Sequence, residues 1–184
     1  MANVTILGSG GFGLCLALAA LRNGHQVTVW SKFQQELDAI RRDGEHKEKL
    51  PGVPIPETIR LTADIHCITG SDVVLFGIPS QFLRATAKLA APYIEPSMLV
   101  VNSGKGLEEG TFFTLSQVLE EEIPGVPVVT VTGPSHAEEV GRGVPTALVA
   151  ASKNEQAWSS YALLFARNRT EEWQNRLHCQ RWLM

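Results

Sequence analysis

The chain lacks the features that mark several specialised protein classes. It has only three cysteines in 184 residues. Cys15, Cys67 and Cys179 are too widely spaced, and odd in number, for a disulfide framework or a zinc site. Cys15 falls among Leu and Ala, where a buried thiol behaves as a small hydrophobe. No apolar run reaches the roughly 18 residues of a membrane span without interruption by Gly, Lys or Asp. No basic leader precedes the first apolar run, which argues against a secretory signal. Charge is nearly balanced, 16 basic against 19 acidic residues for a net −3, so there is no electrostatic footprint for nucleic acid. Reduced thiols and a cytoplasmic location are expected. There is no low-complexity stretch and no internal repeat beyond the alternation described below.

With 44% hydrophobic and 19% charged residues, the composition is that of a globular protein. The length suits one domain of generous size, or one domain and part of another. The most informative feature follows the N-terminal apolar run Val4-Thr5-Ile6-Leu7 and is Gly8-Ser9-Gly10-Gly11-Phe12-Gly13, which opens a helical pattern over Leu14 to Leu21. Strand, G-x-G-x-x-G, then helix is the phosphate-cradling order of a dinucleotide-binding βαβ unit. Gly8 is expected to make the tight turn, Gly10 to let a pyrophosphate approach the backbone, and Gly13 to let the helix pack on its strand. The unpaired amides and partial positive charge of the helix start then favour a diphosphate. As a string the motif matches many glycine turns, and its placement makes it informative.

Strand-like and helix-like segments alternate onward. Gln26–Trp30 is β-branched and aromatic and follows Asn23-Gly24, a helix-stop signal. Phe33 to Arg42 places Phe33, Leu37 and Ile40 on one helical face. Further strands are expected at 59–61, 73–76, 98–101, 126–132 and 146–151. Helices are expected from Pro79 to about Ala91, around Leu115, Val118 and Leu119, over 136–140, and from near Asn154. Near-continuous apolar strands separated by helices predict an α/β fold, Rossmann-type and doubly wound, with a mostly parallel sheet covered by helices on both faces. This unit is expected to span 1–166. Residues 167–184 form an atypical tail with little periodicity. Either it is a helix whose Trp173 and Leu177 pack on the sheet, or the chain is altered where a second domain ought to begin.

In such a sheet, ligands bind beyond the carboxyl ends of the strands. Glycine turns at 8–13, 102–106 and 133–135 occupy that position and define one shared crevice. At the end of the second strand stands Trp30-Ser31-Lys32, with no acid to accept the ribose 2′-OH of NAD. Ser31 would donate to a 2′-phosphate and Lys32 would neutralise it, so NADP is expected to bind at least as well as NAD. A lone loop lysine is usually just solvated. Lys105, flanked by Gly104 and Gly106 after a buried strand, reads instead as a ligand for a phosphate or carbonyl. His136, at a helix start after Gly-Pro-Ser, reads as a proton donor or as a capping or packing residue, and the second reading is preferred. Glu108-Glu109 and Glu138-Glu139 lack metal-ligand spacing and read as solvated faces, so no metal is expected.

The sequence resembles the bacterial NAD(P)-dependent glycerol-3-phosphate dehydrogenases over residues 3–165. The resemblance rests on Gly8 to Gly13, Asn23-Gly24-His25, Trp30-Ser31-Lys32, Leu50-Pro51 and Ile78-Pro79-Ser80. Its most specific blocks are Ser103-Gly104-Lys105-Gly106-Leu107-Glu108 and Gly133-Pro134-Ser135-His136-Ala137-Glu138-Glu139-Val140. It implies hydride transfer between dihydroxyacetone phosphate and sn-glycerol 3-phosphate, a small phosphorylated substrate, for phospholipid synthesis. It further implies that Gly11 and Phe12 touch the cofactor phosphates and that Lys32 meets the adenosine end. Lys105 would reach cofactor and substrate, Gly133 and Ser135 would line the substrate site, and Ala137 the cofactor. Two rivals stand beside this reading: another NADP-dependent reductase of the same wider class, such as a ketopantoate or imine reductase, and a non-catalytic nucleotide-binding module. The two most specific blocks argue against the first.

In that family a helical second domain supplies the lysine that donates and accepts the proton, together with an arginine-bearing phosphate site. This chain shows no such segment, so no catalytic residue is assigned and the expectation is a truncated form. Either a homodimer through the apolar face thus left exposed, or marginal solubility, is expected. Loss of a general acid typically costs 10²–10⁴-fold in rate. The 184-residue chain is therefore expected to bind cofactor and turn over slowly or not at all. NADPH oxidation with dihydroxyacetone phosphate at the usual enzymatic rate of about 1–10³ s⁻¹ would overturn this.

Overall fold

The computed structural model describes residues 1–165, so the tail at 167–184 lies outside the described residues. In chain order the elements are β1 (Asn3–Leu7), α1 (Gly11–Arg22), β2 (Gln26–Trp30), α2 (Gln34–Asp43), β3 (Arg60–Thr62), β4 (Val73–Phe76) and α3 (Ser80–Ala90). They continue with β5 (Leu99–Asn102), α4 (Leu115–Glu122), β6 (Val128–Thr132), α5 (Ala137–Arg142), β7 (Val149–Ala151) and α6 (Glu155–Phe165). One seven-stranded sheet runs in the order β3-β2-β1-β4-β5-β6-β7. All neighbours up to β6 pair in parallel, with Leu7 level with both Trp30 and Phe76.

Alternation along each strand divides the core in two. Val4, Ile6, Val73, Leu75 and Val101 point to the face covered by α1, α2, α5 and α6, where Leu14, Leu37, Ile40, Val140 and Tyr161 are buried. Leu7, Val74, Phe76 and Val100 point the other way, against Leu83 and Ala87 of α3 and Leu115, Val118 and Leu119 of α4. With both faces covered, β4 is wholly apolar and β1 and β5 carry only Asn3, Thr5 and Asn102 as polar residues, which is why these strands read as near-continuous apolar runs. Burying each of these large side chains contributes about 1.5–3 kcal/mol.

Helix ends follow local chemistry. Thr114 and Gln117 close a reciprocal capping box on α4. Asn154 accepts hydrogen bonds from the amides of Gln156 and Ala157 at the start of α6. Gly44 ends α2 in the left-handed conformation, φ 69°. Arg22, in the last turn of α1, donates to the carbonyls of Val140 and Gly141 and thereby fastens α5 to α1.

Several expectations need correction. Phe33 does not share the buried face of Leu37 and Ile40. It precedes α2 at the N-cap position and is 59% exposed. His136 neither packs nor caps, since it is exposed at the start of α5 and its side chain makes no capping bond. The last strand begins at Val149 rather than Thr146 and is antiparallel to β6, with Thr132 opposite Val149. The six-residue α5 rises only about 9 Å. The connection from β6 to β7 runs over residues 133–148, and α5 is its one helix.

The fold's tightest point is where β1 turns into α1. Gly8 adopts φ 116°, a conformation that favours glycine, and a Cβ on Gly13 would lie 2.5 Å from the Gly8 carbonyl oxygen. Gly13→Ala is therefore expected to push α1 off β1. Overpacking of this kind costs about 1–3 kcal/mol, which urea denaturation would register as a lower midpoint with an unchanged slope.

Candidate functional site

A cleft of about 560 Å³ opens at the carboxyl ends of β1, β2, β4 and β5, where strand order reverses between β1 and β4. This switch point is where doubly wound sheets take their ligands. Gly8 donates its amide to the Trp30 carbonyl, Gly77 to Leu7 and Ser103 to Phe76, so each strand end is stitched to its neighbour just below the cleft. Asn102 is buried, and its side-chain oxygen accepts the Gly104 amide, which shapes the turn that carries Lys105.

The glycine turn forms the floor. Gly10 is the N-cap of α1 with extended backbone, φ −67°, and no side chain caps the helix. A Cβ built on Gly10 meets nothing within 4 Å, so the space above it is open. The amides of the first helical turn have no intrahelical partners, and the helix end carries partial positive charge. Gly11, in contrast, is pressed against the Lys49 carbonyl, which a Cβ would strike, and faces Ala137 of α5.

Cations surround this floor. Lys105 Nζ lies 6.0 Å from the centre of the Phe12 ring, so the two residues face each other across the cleft. Lys32 Nζ stands 5.0 Å from the Phe33 ring and 5.3 Å from that of Phe82, a cation–π arrangement at the cleft mouth.

One residue in the cleft was not anticipated. Glu36, in the first turn of α2, sends its carboxylate back toward the glycine turn. Its Oε2 accepts from the hydroxyls of Ser9 and, at 3.1 Å, Ser31. Its Oε1 lies 2.6 Å from Lys49 Nζ and 3.1 Å from His46 Nε2. Burial pushes this carboxyl up, yet the hydrogen bonds from Lys49, Ser9 and His46 together outweigh that and bring it from 4.5 down to about 2. The premise that no acid stands near the end of β2 is thus corrected. Ser31 is buried and its hydroxyl is turned to Glu36 rather than to the cleft mouth. The acid comes from a helix five residues later in the chain, outside the spacing of the strand-end motif, and Lys49 comes from the loop before Leu50. Only the position of Glu36 in the first helical turn offered a local signal.

Of the sequence-expected residues, the cleft gathers Gly8, Gly10, Phe12, Ser31, Lys32 and Lys105. Gly13 packs beneath it. Gly133, Ser135 and Ala137 lie beyond the end of β6 and do not line it. Glu108 corrects another expectation, since it is not a solvated residue. Its carboxylate takes Arg84 Nε at 2.6 Å and Nη2 at 2.8 Å, and so ties the Lys105 loop to α3. Glu138 is exposed, as expected.

Residues 3–158 match the family model described as NAD-dependent glycerol-3-phosphate dehydrogenase N-terminus. The chain belongs to this family. Among curated relatives of that name, with NAD(P)+, it is 41% identical to the Agathobacter rectalis protein over 85% of this chain and 47% of that protein. It is also 41% identical to the Desulfitobacterium hafniense protein, over 85% of this chain and 45% of that one. The solved glycerol-3-phosphate dehydrogenase of Coxiella burnetii superposes with a TM-score of 0.84 at 30% identity, covering 91% of this chain and 52% of that chain. The chain spans about half the length of the curated relatives it matches. In this member of the dehydrogenase family, the Rossmann-type architecture and the glycine turn fall inside the matched segment.

The Glu36 network carries a pH signature. A carboxyl whose folded pKa is depressed adds stability above its unfolded value and loses it as pH falls through the folded value. Comparing wild type with Glu36→Gln, the melting-temperature difference is expected to be full above pH 4.5 and to vanish as pH falls to about 2. A difference that stays constant across that window would show that the charge is not involved.

Proposed function

We propose that this chain is the coenzyme-binding part of an oxidoreductase that interconverts dihydroxyacetone phosphate and sn-glycerol 3-phosphate with NAD(P)H, feeding glycerophospholipid synthesis. The observation that carries it is the uncapped start of α1 behind Gly10, open to a cleft at the topological switch point and ringed by lysines. The family match and its named relatives support the reaction. No membrane-length apolar helix occurs among the described residues.

The residues present fit a nicotinamide dinucleotide. Gly8, Gly10 and the start of α1 supply the turn and amides for the diphosphate, with Gly11, Phe12 and Gly13 setting the path of the helix. Lys105 faces Phe12 from the opposite wall, placed to neutralise anionic groups of coenzyme and substrate. Lys32 serves the adenosine end at the cleft mouth, and Ser31 lies beneath it. Ala137 touches the back of the glycine turn at Gly11. Gly133 and Ser135, beyond β6, belong to the substrate side. When bound, the nicotinamide supplies or accepts the hydride. We take residues 1–166 as the binding unit and 167–184 as a separate tail. The exposed side chains of Leu107 and Phe112 support a homodimer, which sedimentation velocity reads directly.

Titration of NADH and NADPH fluorescence against the chain tests the reading. Saturable binding is expected. Gly10→Ala should weaken it by at least about tenfold, because the methyl occupies the space a diphosphate needs, at a folding cost below about 1 kcal/mol. Absence of affinity for either coenzyme in the wild type would defeat the proposal.

A further inference from the structure

The sequence leaves open which of the two coenzymes is preferred, and the Glu36 network bears on that choice. The inference rests on the coenzyme-binding reading above. In a doubly wound fold the adenosine ribose lies beyond the end of the second strand, beside the glycine turn. Oε2 of Glu36 occupies that junction, holding Ser9 of the glycine turn and Ser31 of the strand end through their hydroxyls. The side chain is 18% exposed and lines the cleft.

We propose that Glu36 is the residue that discriminates between the coenzymes, taking the part of the missing strand-end acid and making NADH the preferred one. A ribose 2′-OH can donate to this carboxylate, whereas a 2′-phosphate meets a like charge. The two hydroxyls that would otherwise donate to the phosphate are committed to Glu36. Ser31 also accepts the Phe33 amide at 3.3 Å, which fixes its proton toward the acid. Of the nearby ammonium groups, Lys49 is compensated by Glu36 at 2.6 Å. Lys32 is held against the rings of Phe33 and Phe82. The preference expected from Ser31 and Lys32 alone is thereby reversed.

The test is the ratio of NADPH to NADH dissociation constants for the full chain, by fluorescence titration. In the wild type the ratio exceeds one. In Glu36→Gln, whose amide keeps the shape and can donate to a phosphate, it falls by at least about tenfold. A role confined to holding the turn would weaken both coenzymes together and leave the ratio unmoved. Lys49→Gln leaves the acid uncompensated and raises the ratio, so the proposal stays testable should Glu36→Gln fail to fold. A ratio unmoved in every folded variant, or a wild type that binds NADPH more tightly, overturns the assignment and leaves the coenzyme site standing. A wild type that binds neither coenzyme overturns both.

Discussion

Three backbones meet without side chains where β1 enters α1, and the site depends on this contact. Notional Cβ atoms on Gly8 and Gly13 would each lie 2.5 Å from a carbonyl oxygen, of Gly77 and Gly8 respectively, and one on Gly77 would lie 3.1 Å from the Gly13 Cα. Such proximity draws the start of α1 down onto the ends of β1 and β4. Gly10 and Phe12, at the start of α1, then line the cleft. Gly10 stands apart from the other three because its neighbouring space is open. The turn thus separates two demands, close packing at Gly8, Gly13 and Gly77 and access at Gly10.

This separation explains what was legible. The glycine turn, the central strands and the lysine at 105 each carry a local signal, whether a spacing, an unbroken apolar run or flanking glycines. The sheet edges carry less. β3 and β7 are each three residues long, too short to carry an alternation of their own. Phe33 matched the helical period of Leu37 and Ile40 but lies before the helix starts, where periodicity has no meaning. Glu36 and Glu108 were misread or missed for one reason. A carboxylate's partner is set by tertiary approach, of Lys49 and His46 in one case and of Arg84 in the other, and no spacing along the chain encodes it.

Two ion networks hold opposite walls of the cleft, and they differ in kind. On the β5 side Arg84 is enclosed by Glu108, Glu121 and Glu122, joining α3, the Lys105 loop and α4. Its fork geometry toward Glu108 is bidentate, the arrangement in which an ion pair on a protein surface is most worth having. This network lies behind the loop, does not line the cleft, and serves to fix where Lys105 sits.

On the β2 side the arrangement is inverted, with one anion among donors rather than one cation among acceptors. A carboxylate offers about four lone-pair positions. Ser9, Ser31, His46 and Lys49 together fill them. Under the assignment proposed above, an incoming ribose hydroxyl shares the carboxylate with these donors, while Lys49 holds it with a full positive charge as well as a hydrogen bond. An incoming phosphate brings no donor to the carboxylate and adds a like charge beside it. Under the assignment proposed above, the wall at the end of β2 responds to one substituent on the ribose, while on the opposite side the Arg84 network ties the Lys105 loop to α3 and α4.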